Sequence, residues 1–350
     1  MSAAPPTGIE QRVESRLAGD PPEIPVLVGL CGTGRTTVLR RVQQRLGPER
    51  CQYVDVERSA TTPERFVQAL RARSPFACAP IERKATPRGA FDEARAFFAG
   101  ARTPAGQPAT FLLDEVLEFR TFESFPGLRR ALPELLATLG ATPNRFVLAS
   151  RFPNRAARAV QASAAPFVLT PVDGVDGQEV ARMMGVDDSP GVAAPVLEQV
   201  CQGRPVLVRA VVETMGRLSG FPPDPLAAMA AALEPDGRLS AHCRFCYEMR
   251  LNRARGYGAL KAILDILAAE EPLTLTQVSR RLGRTPGSTK DYLSWLEDVD
   301  LVSVDARKRY RFRDPVLRLW ARLHCRPTPP SAEEIAGEVR DYAAAVVTRV

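Results

Sequence analysis

The sequence predicts an α/β fold, in which a parallel sheet with helices on both faces is followed by an all-helical region and a C-terminal region of helices and one hairpin. Short apolar runs alternate with segments of helical spacing over the first half of the chain, which is typical of a parallel sheet. The strand pattern stops after Asp173, and only short helical segments follow. Two alternating segments around a turn at residues 305–308 then predict a hairpin.

Length, composition and charge limit the classes of protein that the chain can belong to. It has 350 residues, of which 45% are hydrophobic and 25% are charged, and its formal net charge is +7. We therefore expect about two domains, or three small ones, and the charge allows an acidic partner without requiring one. No apolar run approaches the ~20 residues of a membrane helix, and the first residues lack the apolar core of a secretory signal. Seven cysteines and two histidines argue against a disulfide scaffold and a His-rich metal site. We therefore predict a cytoplasmic protein with reduced thiols and no membrane contact.

The elements of the first domain are predicted from apolar runs and helix-start signals. The predicted strands are Ile24–Val28, Gln52–Val56, Phe111–Leu113, Arg145–Ala149 and Pro166–Thr170. The predicted helices are Ile9–Leu17, Thr36–Leu46, one that starts at Thr62, and Leu128–Leu139. Residues 74–90 are basic and rich in proline, so we predict a loop there.

Helices dominate the prediction beyond Asp173. Four short helices are predicted at Gln178–Met184, Pro195–Cys201, Pro205–Leu218 and Pro225–Leu233. One long helix is predicted over Cys246–Glu270, although Gly256 and Gly258 weaken its middle. The later elements are helices Leu275–Leu282 and Ser288–Val299, hairpin strands Leu301–Val304 and Tyr310–Arg313, a helix from Asp314 to Leu323, and a tail helix over Glu333–Val347. We divide the chain into a lead-in (1–20), an α/β core (21–172), a helical lid (173–236), a helix–hairpin domain (237–326) and a tail (327–350).

A glycine-rich loop between the first strand and the next helix is the strongest functional signal. The stretch GLCGTGRT, Gly29–Thr36, matches the phosphate-loop pattern G-x-x-x-x-G-K-[ST] except that Arg35 stands in place of lysine. In such a loop the backbone N–H groups point at phosphate oxygens, and the positive end of the following helix faces the same anion. We therefore predict that ATP or ADP binds here. The predicted nucleotide-binding residues of this segment are Gly29, Cys31, Gly32, Thr33, Gly34, Arg35, Thr36 and Thr37.

A second motif follows the third predicted strand, which ends in Asp114-Glu115. Its distance from the loop, about 80 residues, is typical of P-loop ATPases, in which the aspartate holds Mg²⁺ through water and the glutamate orients the attacking water. We predict that Thr36 and Asp114 bind Mg²⁺ and that Glu115 is catalytic. The guanidinium of Arg35 is wider than the ammonium of lysine. Small misplacements of the reacting groups lower the rate of hydrolysis by about 100-fold. The motif therefore supports nucleotide binding more firmly than turnover.

In these motifs the chain resembles the AAA+/STAND group of P-loop ATPases, specifically the archaeal-type ATPase family that archaea and bacteria share. The resemblance covers most of residues 20–325, and its motifs are Gly29–Thr36, Phe111–Glu115, Ser150-Arg151 and Gly203–Pro205. It implies that Arg151 senses the γ-phosphate as a catalytic residue, and that Gly203 and Pro205 of the lid approach the nucleotide. From the sequence alone, two interpretations of Arg151 stay open, a γ-phosphate sensor and an ordinary surface arginine. Arg35 departs from the family's lysine, which leaves hydrolysis open.

The order helix, helix, turn, helix and hairpin predicts a winged helix-turn-helix domain. The segment Tyr310–Trp320 resembles the closing part of such domains in this ATPase family. The recognition helix is predicted at Ser288–Val299, and the predicted DNA contacts are Arg284, Lys290, Arg307, Lys308 and Arg309. Residues 291–300 carry four acidic residues and no basic one, so a role in packing or in binding a protein partner or a second copy stays open.

Three functional hypotheses follow from these motifs. The first is an ATP-binding regulator. In this hypothesis ATP binds with Mg²⁺ between the core and the lid, its binding moves the winged helix, and the ATP is hydrolysed slowly at most. The second is a DNA-binding or adaptor module that nucleotide stabilises without turnover, and the third is a scaffold with a relict loop. The pattern His242-Cys243-Arg-Phe-Cys246 is expected at a helix entry. Two interpretations of it stay open, a zinc site and buried structural thiols.

Overall fold

The computed structural model describes residues 8–79, 85–186, 192–218, 224–254 and 256–347. By their contacts the residues form two compact units. The first unit contains the residues up to Gly29 together with Gly34–Val172, and the second contains Leu30–Thr33 and the residues from Asp173 onward. The tip of the phosphate loop, Leu30–Thr33, therefore belongs to the second unit, although the strand and the helix that flank it belong to the first.

A parallel sheet forms the centre of the first unit. In the described residues it has five strands in the order β2-β3-β4-β1-β5. The strands are β1 (Ile24–Val28), β2 (Cys51–Asp55), β3 (Thr110–Asp114), β4 (Arg145–Ser150) and β5 (Phe167–Pro171). Val26 of β1 lies opposite Leu148 on one side and Leu169 on the other. Every residue of β1 and β3 is buried, as expected of a parallel sheet that is covered on both faces.

Alternate residues of β3 belong to two different cores. Leu112 lies in an aliphatic cluster with Val13 of α1 and Leu39 of α2. Phe111 points to the opposite face, because successive side chains of a strand alternate, and its ring centroid lies 5.0 Å from that of Phe98 on α5. The helices of this unit are α1 (Gly8–Ala18), α2 (Arg35–Leu46), α3 (Val56–Ser59), α4 (Pro63–Ala72), α5 (Pro87–Gly100), α6 (Ala131–Gly140) and α7 (Pro153–Gln161), and a 3₁₀ helix covers Val116–Ser124.

Helix α5 begins inside the segment 74–90 that was predicted to be a loop, so the prediction was wrong from residue 87 onward. The hydroxyl of Thr86 accepts a hydrogen bond from the N–H of Gly89, and Pro87 lies in the first turn. This is the signature of a helix start, and the same Thr-Pro pair correctly predicted α4 at Thr62. Helix α7 and the 3₁₀ helix were not predicted either.

The second unit contains ten helices and a small antiparallel sheet in its described residues. The helices are α8 (Gly177–Met184), α9 (Ala193–Val200), α10 (Pro205–Met215), α11 (Pro225–Ala232), α12 (Arg238–Leu251), α13 (Tyr257–Ala269), α14 (Leu275–Leu282), α15 (Pro286–Asp298), α16 (Pro315–His324) and α17 (Ala332–Val347). The strands are β6 (Leu273–Thr274), β7 (Val302–Val304) and β8 (Arg309–Phe312), in the order β6-β8-β7. Together with the parallel sheet, these elements confirm the predicted fold class. None of the described helices has the length and apolar character needed to cross a membrane.

The long helix predicted over Cys246–Glu270 is two helices, α12 and α13, so this prediction was wrong. Gly256 precedes α13 with a φ of 86°, a left-handed conformation that ends the continuity of the helix. A Cβ at this position would lie 2.8 Å from the ring of Tyr292, so glycine also permits a close approach. Cys243 and Cys246 consequently lie within α12 rather than at a helix entry.

Candidate functional site

The phosphate-loop segment Gly29–Thr36 connects β1 to α2, as the sequence predicts. Gly32 and Gly34 have φ values of 86° and 92°, which favour glycine at both positions. Gly34 is the N-cap of α2 and, as a glycine, has no side chain with which to cap that end. A helix start whose N-cap residue offers no side-chain acceptor is the arrangement that binds anions at helix N-termini.

Arg35, which stands where lysine is usual, folds back onto the first residue of the loop. Its Nη1 donates a hydrogen bond to the carbonyl oxygen of Gly29. Its Nη2 lies 3.1 Å from Oε1 of Glu115, and both side chains are buried. The cation expected to neutralise phosphate is thus paired with a carboxylate inside the first unit, in a charge-assisted hydrogen bond.

Glu115, the residue predicted to orient water, accepts hydrogen bonds from two arginines. In addition to Arg35, the Nε of Arg151 lies 3.1 Å from its Oε1. The backbone N–H of Arg151 donates to Oε2 over 3.0 Å. Glu115 itself follows β3 with a φ of 54°, which turns it out of the strand direction. In this conformation both carboxylate oxygens contact an arginine.

Arg151 follows directly after β4, and its side chain is only 10% exposed. It forms a second ion pair with Glu57, just beyond the end of β2. This burial and double pairing do not fit an ordinary surface arginine. Sequence analysis missed Glu57. The carboxyl ends of parallel strands meet at one edge of a sheet, where ligands bind. Glu57 could therefore have been predicted as an acidic residue that follows a predicted strand.

Thr36 and Asp114, the predicted Mg²⁺ ligands, are in direct contact. The hydroxyl of Thr36 donates to Oδ2 of Asp114 over 2.6 Å. The hydroxyl of Tyr53, which sequence analysis missed, donates to the same oxygen over 2.8 Å. Burial raises the pKa of the Asp114 carboxyl, although these two hydrogen bonds favour its charged form. Within the described residues, Oδ1 of Asp114 is buried and has no hydrogen-bond partner.

The oxygen atoms of Thr36 and Asp114 fit Mg²⁺. This ion prefers oxygen ligands, and proteins usually bind it through one or two side chains together with water and substrate phosphates. A buried carboxylate oxygen without a partner is a suitable ligand, directly or through water. In the described part of the chain, no group of three or more His, Cys, Asp or Glu side chains is arranged to hold a metal ion. The zinc hypothesis around Cys243 and Cys246 therefore finds no support there.

Hydrogen bonds within the second unit hold the motif Gly203–Pro205 in place. The carbonyl oxygen of Gly203 accepts a hydrogen bond from Val175 over 2.7 Å. Arg204 is buried and donates to both carboxylate oxygens of Asp314, over 2.6 and 2.7 Å. Asp314 also accepts from two backbone N–H groups at the start of α16. The roles predicted for Gly203 and Pro205 at the nucleotide stay predictions.

The residues predicted to contact DNA differ in their surroundings. Arg307 and Lys308 are exposed at the turn between β7 and β8. Arg309 is paired with Asp305, at 3.0 Å between Nη2 and Oδ2. The guanidinium of Arg284 lies 5.9 Å from the ring centroid of Tyr292. Lys290 is exposed on α15.

Comparison with solved structures agrees with this geometry. The chain is similar to the Walker-type ATPase of Pyrococcus abyssi, with a TM-score of 0.64 and 15% identity over 89% of this chain and 94% of that chain. At this level of identity the similarity shows that the two chains share a fold. TM-scores are lower for the Orc1 protein of Aeropyrum pernix in complex with DNA (0.43, 16% identity, 99% of this chain and 95% of that chain) and for Cdc6p of Pyrobaculum aerophilum (0.40, 10%, 98% and 96%). No protein-family model and no curated protein sequence matches the chain.

Proposed function

We propose that this chain is a regulator that binds ATP with Mg²⁺ at its phosphate loop, switches conformation with the nucleotide state and hydrolyses ATP slowly at most. The observation that carries the proposal is the ion-pair cluster formed by Arg35, Glu115 and Arg151. It lies in the same unit as the partnerless oxygen of Asp114. The fold shared with a Walker-type ATPase supports the nucleotide class.

Binding follows from the loop and its two oxygen ligands. The N–H groups at the start of α2 would hold phosphate oxygens, because the N-cap residue Gly34 has no side chain that could accept from them. Thr36 and Asp114 would hold the magnesium ion, which neutralises part of the phosphate charge. Burial of these groups strengthens each electrostatic contact relative to water.

Switching follows from competition for the same two cations. Glu115 forms ion pairs with both Arg35 and Arg151. A γ-phosphate is a stronger multivalent acceptor for guanidinium groups, so it would draw them away from the carboxylate. ATP and ADP differ only in that phosphate. The ion pairs therefore form an element with two arrangements, whose populations a nucleotide shifts by its unequal affinity for them.

Slow hydrolysis follows from the same contacts. A general base or water-orienting group must be within hydrogen-bond reach of the attacking water. Glu115 instead holds Arg35 and Arg151, so it has to be released before it can act. These contacts favour a switch with low basal turnover over an efficient ATPase.

The chain itself provides a route from nucleotide to the second unit. The loop tip Leu30–Thr33 belongs to that unit, while Gly34 and the helix after it belong to the first. The phosphate loop is thus continuous along the chain with residues of both units. Within the second unit, the buried pair of Arg204 and Asp314 ties the lid motif to the start of α16. We propose that these links carry the nucleotide state to the winged helix.

Titration calorimetry with ATP and ADP, with and without Mg²⁺, tests this function. The variant Thr36→Ala removes a proposed Mg²⁺ ligand, and Thr121→Ala, which changes an exposed threonine in the same unit, is the control. We expect Mg²⁺-dependent ATP binding that weakens at least about tenfold in Thr36→Ala, or about 1.4 kcal/mol, and is unchanged in the control. Absence of binding by the wild-type chain would overturn the proposal.

DNA contact is a second candidate function. The observation that favours it is the exposed pair Arg307 and Lys308 at the tip of the β7–β8 hairpin. A basic wing of this kind contacts phosphates without reading the sequence. The acidic residues on α15 oppose its entry into a groove, so the wing rather than the helix is the proposed contact. This function does not require hydrolysis and fits a nucleotide-stabilised binding module.

A further inference from the structure

The loop tip Leu30–Thr33 lies in the second unit beside a buried group of reactive side chains on α12. Cys31 is 8% exposed and Cys246 is 4% exposed. A Cβ at Gly32, the residue next to Cys31, would lie 3.5 Å from Nε2 of His242, so the loop tip lies against the part of α12 that carries Cys246. Nε2 of His242 lies 3.5 Å from Sγ of Cys246, and Nη2 of Arg250 lies 3.9 Å from Sγ of Cys31. Two sulfurs from distant parts of the chain are therefore neighbours, each with its own polar partner.

The polar partner of Cys31 is a buried cation. The guanidinium of Arg250 is fully buried and fixed by hydrogen bonds to the carbonyl oxygens of Val299 and Asp300, over 2.6 and 3.1 Å. A fixed cation beside a thiol stabilises the anionic form, which is the nucleophile in thiol chemistry.

The partner of Cys246 is a base. The hydrogen bond with Cys31 and burial raise the pKa of the Cys246 thiol, so it keeps its proton until it reacts. Burial lowers the pKa of His242, so its imidazole is neutral and can accept that proton. The cluster thus contains a nucleophilic sulfur, a second sulfur to resolve the reaction and a base beside the second sulfur.

We propose that Cys31 and Cys246 form a reversible disulfide under peroxide, and that this bond closes the phosphate loop to nucleotide. The second part rests on the proposed ATP binding. A disulfide brings the two Cβ atoms to about 3.8 Å, which fixes the loop tip on α12. Phosphate binding needs the loop N–H groups to turn inward around the anion. A Cβ at Gly32 would lie 3.1 Å from Cβ of Val206, so the tip has little space in which to adjust.

The reaction balances with one peroxide molecule. The thiolate of Cys31 attacks one peroxide oxygen, the O–O bond breaks, and the product is a sulfenic acid, with water formed after protonation. Cys246 gives its proton to Nε2 of His242 and attacks Sγ of Cys31, which forms the S–S bond and expels hydroxide. His242 returns the proton, and a second water forms. Two thiols lose two electrons and two protons in total, and hydrogen peroxide is reduced to two waters.

Peptide mapping of the full chain after treatment with hydrogen peroxide tests the disulfide directly. We expect a cross-linked peptide pair containing Cys31 and Cys246, lighter by two hydrogens, that dithiothreitol separates. Cys246→Ala removes the resolving thiol, so no cross-link should form and dimedone should trap the sulfenic acid on Cys31. Cys243→Ser, one turn away on the same buried face of α12, is the matched control and should cross-link normally. Absence of this pair, or its loss in Cys243→Ser, would overturn the proposal.

The effect on the loop is tested by measuring ATP affinity of the cross-linked chain before and after reduction. We expect at least about a tenfold loss that reduction restores. A cross-linked chain with unchanged affinity would overturn the closing role. A reduced chain that binds no ATP would overturn the proposed function and the closing role together, whereas the mapped cross-link tests the disulfide independently of nucleotide.

Discussion

Arg35 and Glu115, which are 80 positions apart in the chain, form a buried ion pair with 3.1 Å between Nη2 and Oε1. The pair joins the residue that replaces the phosphate-loop lysine to the residue that would orient water for hydrolysis. A planar guanidinium can reach the Gly29 carbonyl oxygen and Glu115 at once, which a single ammonium does less well. The substitution therefore alters both binding and turnover through one contact.

Replacing Arg35 by lysine should raise ATP turnover. The compact ammonium fits inside a phosphate loop and releases one of the contacts that hold Glu115, so we expect kcat to rise at least about tenfold. The double variant with Glu115→Gln should lose this gain, because it removes the group that the first change releases. A steady-state phosphate-release assay on both variants checks the prediction. Equal turnover in the wild type and Arg35→Lys would mean that arginine does not limit the reaction.

Asp114→Asn should stabilise the ligand-free chain at neutral pH. Burial raises the folded-state pKa of Asp114, so its ionised form costs stability above that pKa, and this cost disappears as the pH falls through it. Removing the charge should raise the unfolding midpoint by about 2–4 °C, or about 1 kcal/mol, with a smaller gain near pH 4. Asp55→Asn, opposite Asp114 in the register of β2 and β3, is the control. Thermal unfolding across pH measures both, and a gain that does not depend on pH would contradict this account.

Breaking the pair of Arg204 and Asp314 should weaken the second unit selectively. Arg204→Met leaves a buried carboxylate without its cation, so we expect a loss of about 3 kcal/mol. Both tryptophans of the chain, Trp295 and Trp320, lie in this unit, and their fluorescence in urea reports its unfolding. Arg322→Met, which removes a more exposed ion pair from α16, should cost much less. Equal losses would show that the buried pair has no special role.

The same pair should make the second unit sensitive to acid. Burial alone would raise the pKa of Asp314, but Arg204 and the N–H of Leu317 hold it below the ordinary value. A lowered folded-state pKa contributes stability that is complete above the unfolded-state value of about 4 and is lost as the pH falls through the folded-state value. Tryptophan fluorescence should therefore show a loss of stability below pH 4 that is reduced in Arg204→Met. An identical acid transition in both chains would contradict the assignment.

Arg307→Ala/Lys308→Ala should weaken non-specific DNA binding and its dependence on salt. Each lost phosphate contact lowers the slope of log affinity against log salt by about 0.9, so two contacts should lower it by about 1.8. Arg129→Ala/Arg130→Ala removes two exposed adjacent arginines from the first unit and is the matched control. Fluorescence anisotropy with a labelled duplex at several salt concentrations measures the slopes. The same change of slope in both variants would indicate that net charge, rather than a phosphate contact at the hairpin, determines the salt dependence.

Local patterns were enough to predict the phosphate loop and the aspartate that it contacts, Asp114. The apolar run ending at Gly29 and the strand ending in Asp114-Glu115 predicted two neighbouring strand ends, and Thr36 does contact Asp114. These motifs are short, and the parallel sheet brings the ends of its strands together. The Thr86-Pro87 helix start was equally readable, but the surrounding prolines outweighed it.

Contacts between distant side chains could not be predicted from local patterns. Arg204 and Asp314 are 110 positions apart, and neither spacing nor periodicity selects this pair among the many arginines of the chain. The neighbours of Cys31 on α12 depend on how the loop tip lies in the second unit. Glu57 and Tyr53 became site residues only once the order of strands was known.

The most direct test of the switch is the affinity of Glu115→Gln for ATP and for ADP, measured by calorimetry with Mg²⁺. Removing the carboxylate frees Arg35 and Arg151 for the γ-phosphate and removes a like charge from its surroundings, so ATP should bind about tenfold more tightly. ADP should gain less, and Glu57→Gln, which changes only the outer partner of Arg151, should change both little. Unchanged or weaker ATP binding, or equal gains for the two nucleotides, would contradict the claim that Glu115 and the γ-phosphate compete for these arginines.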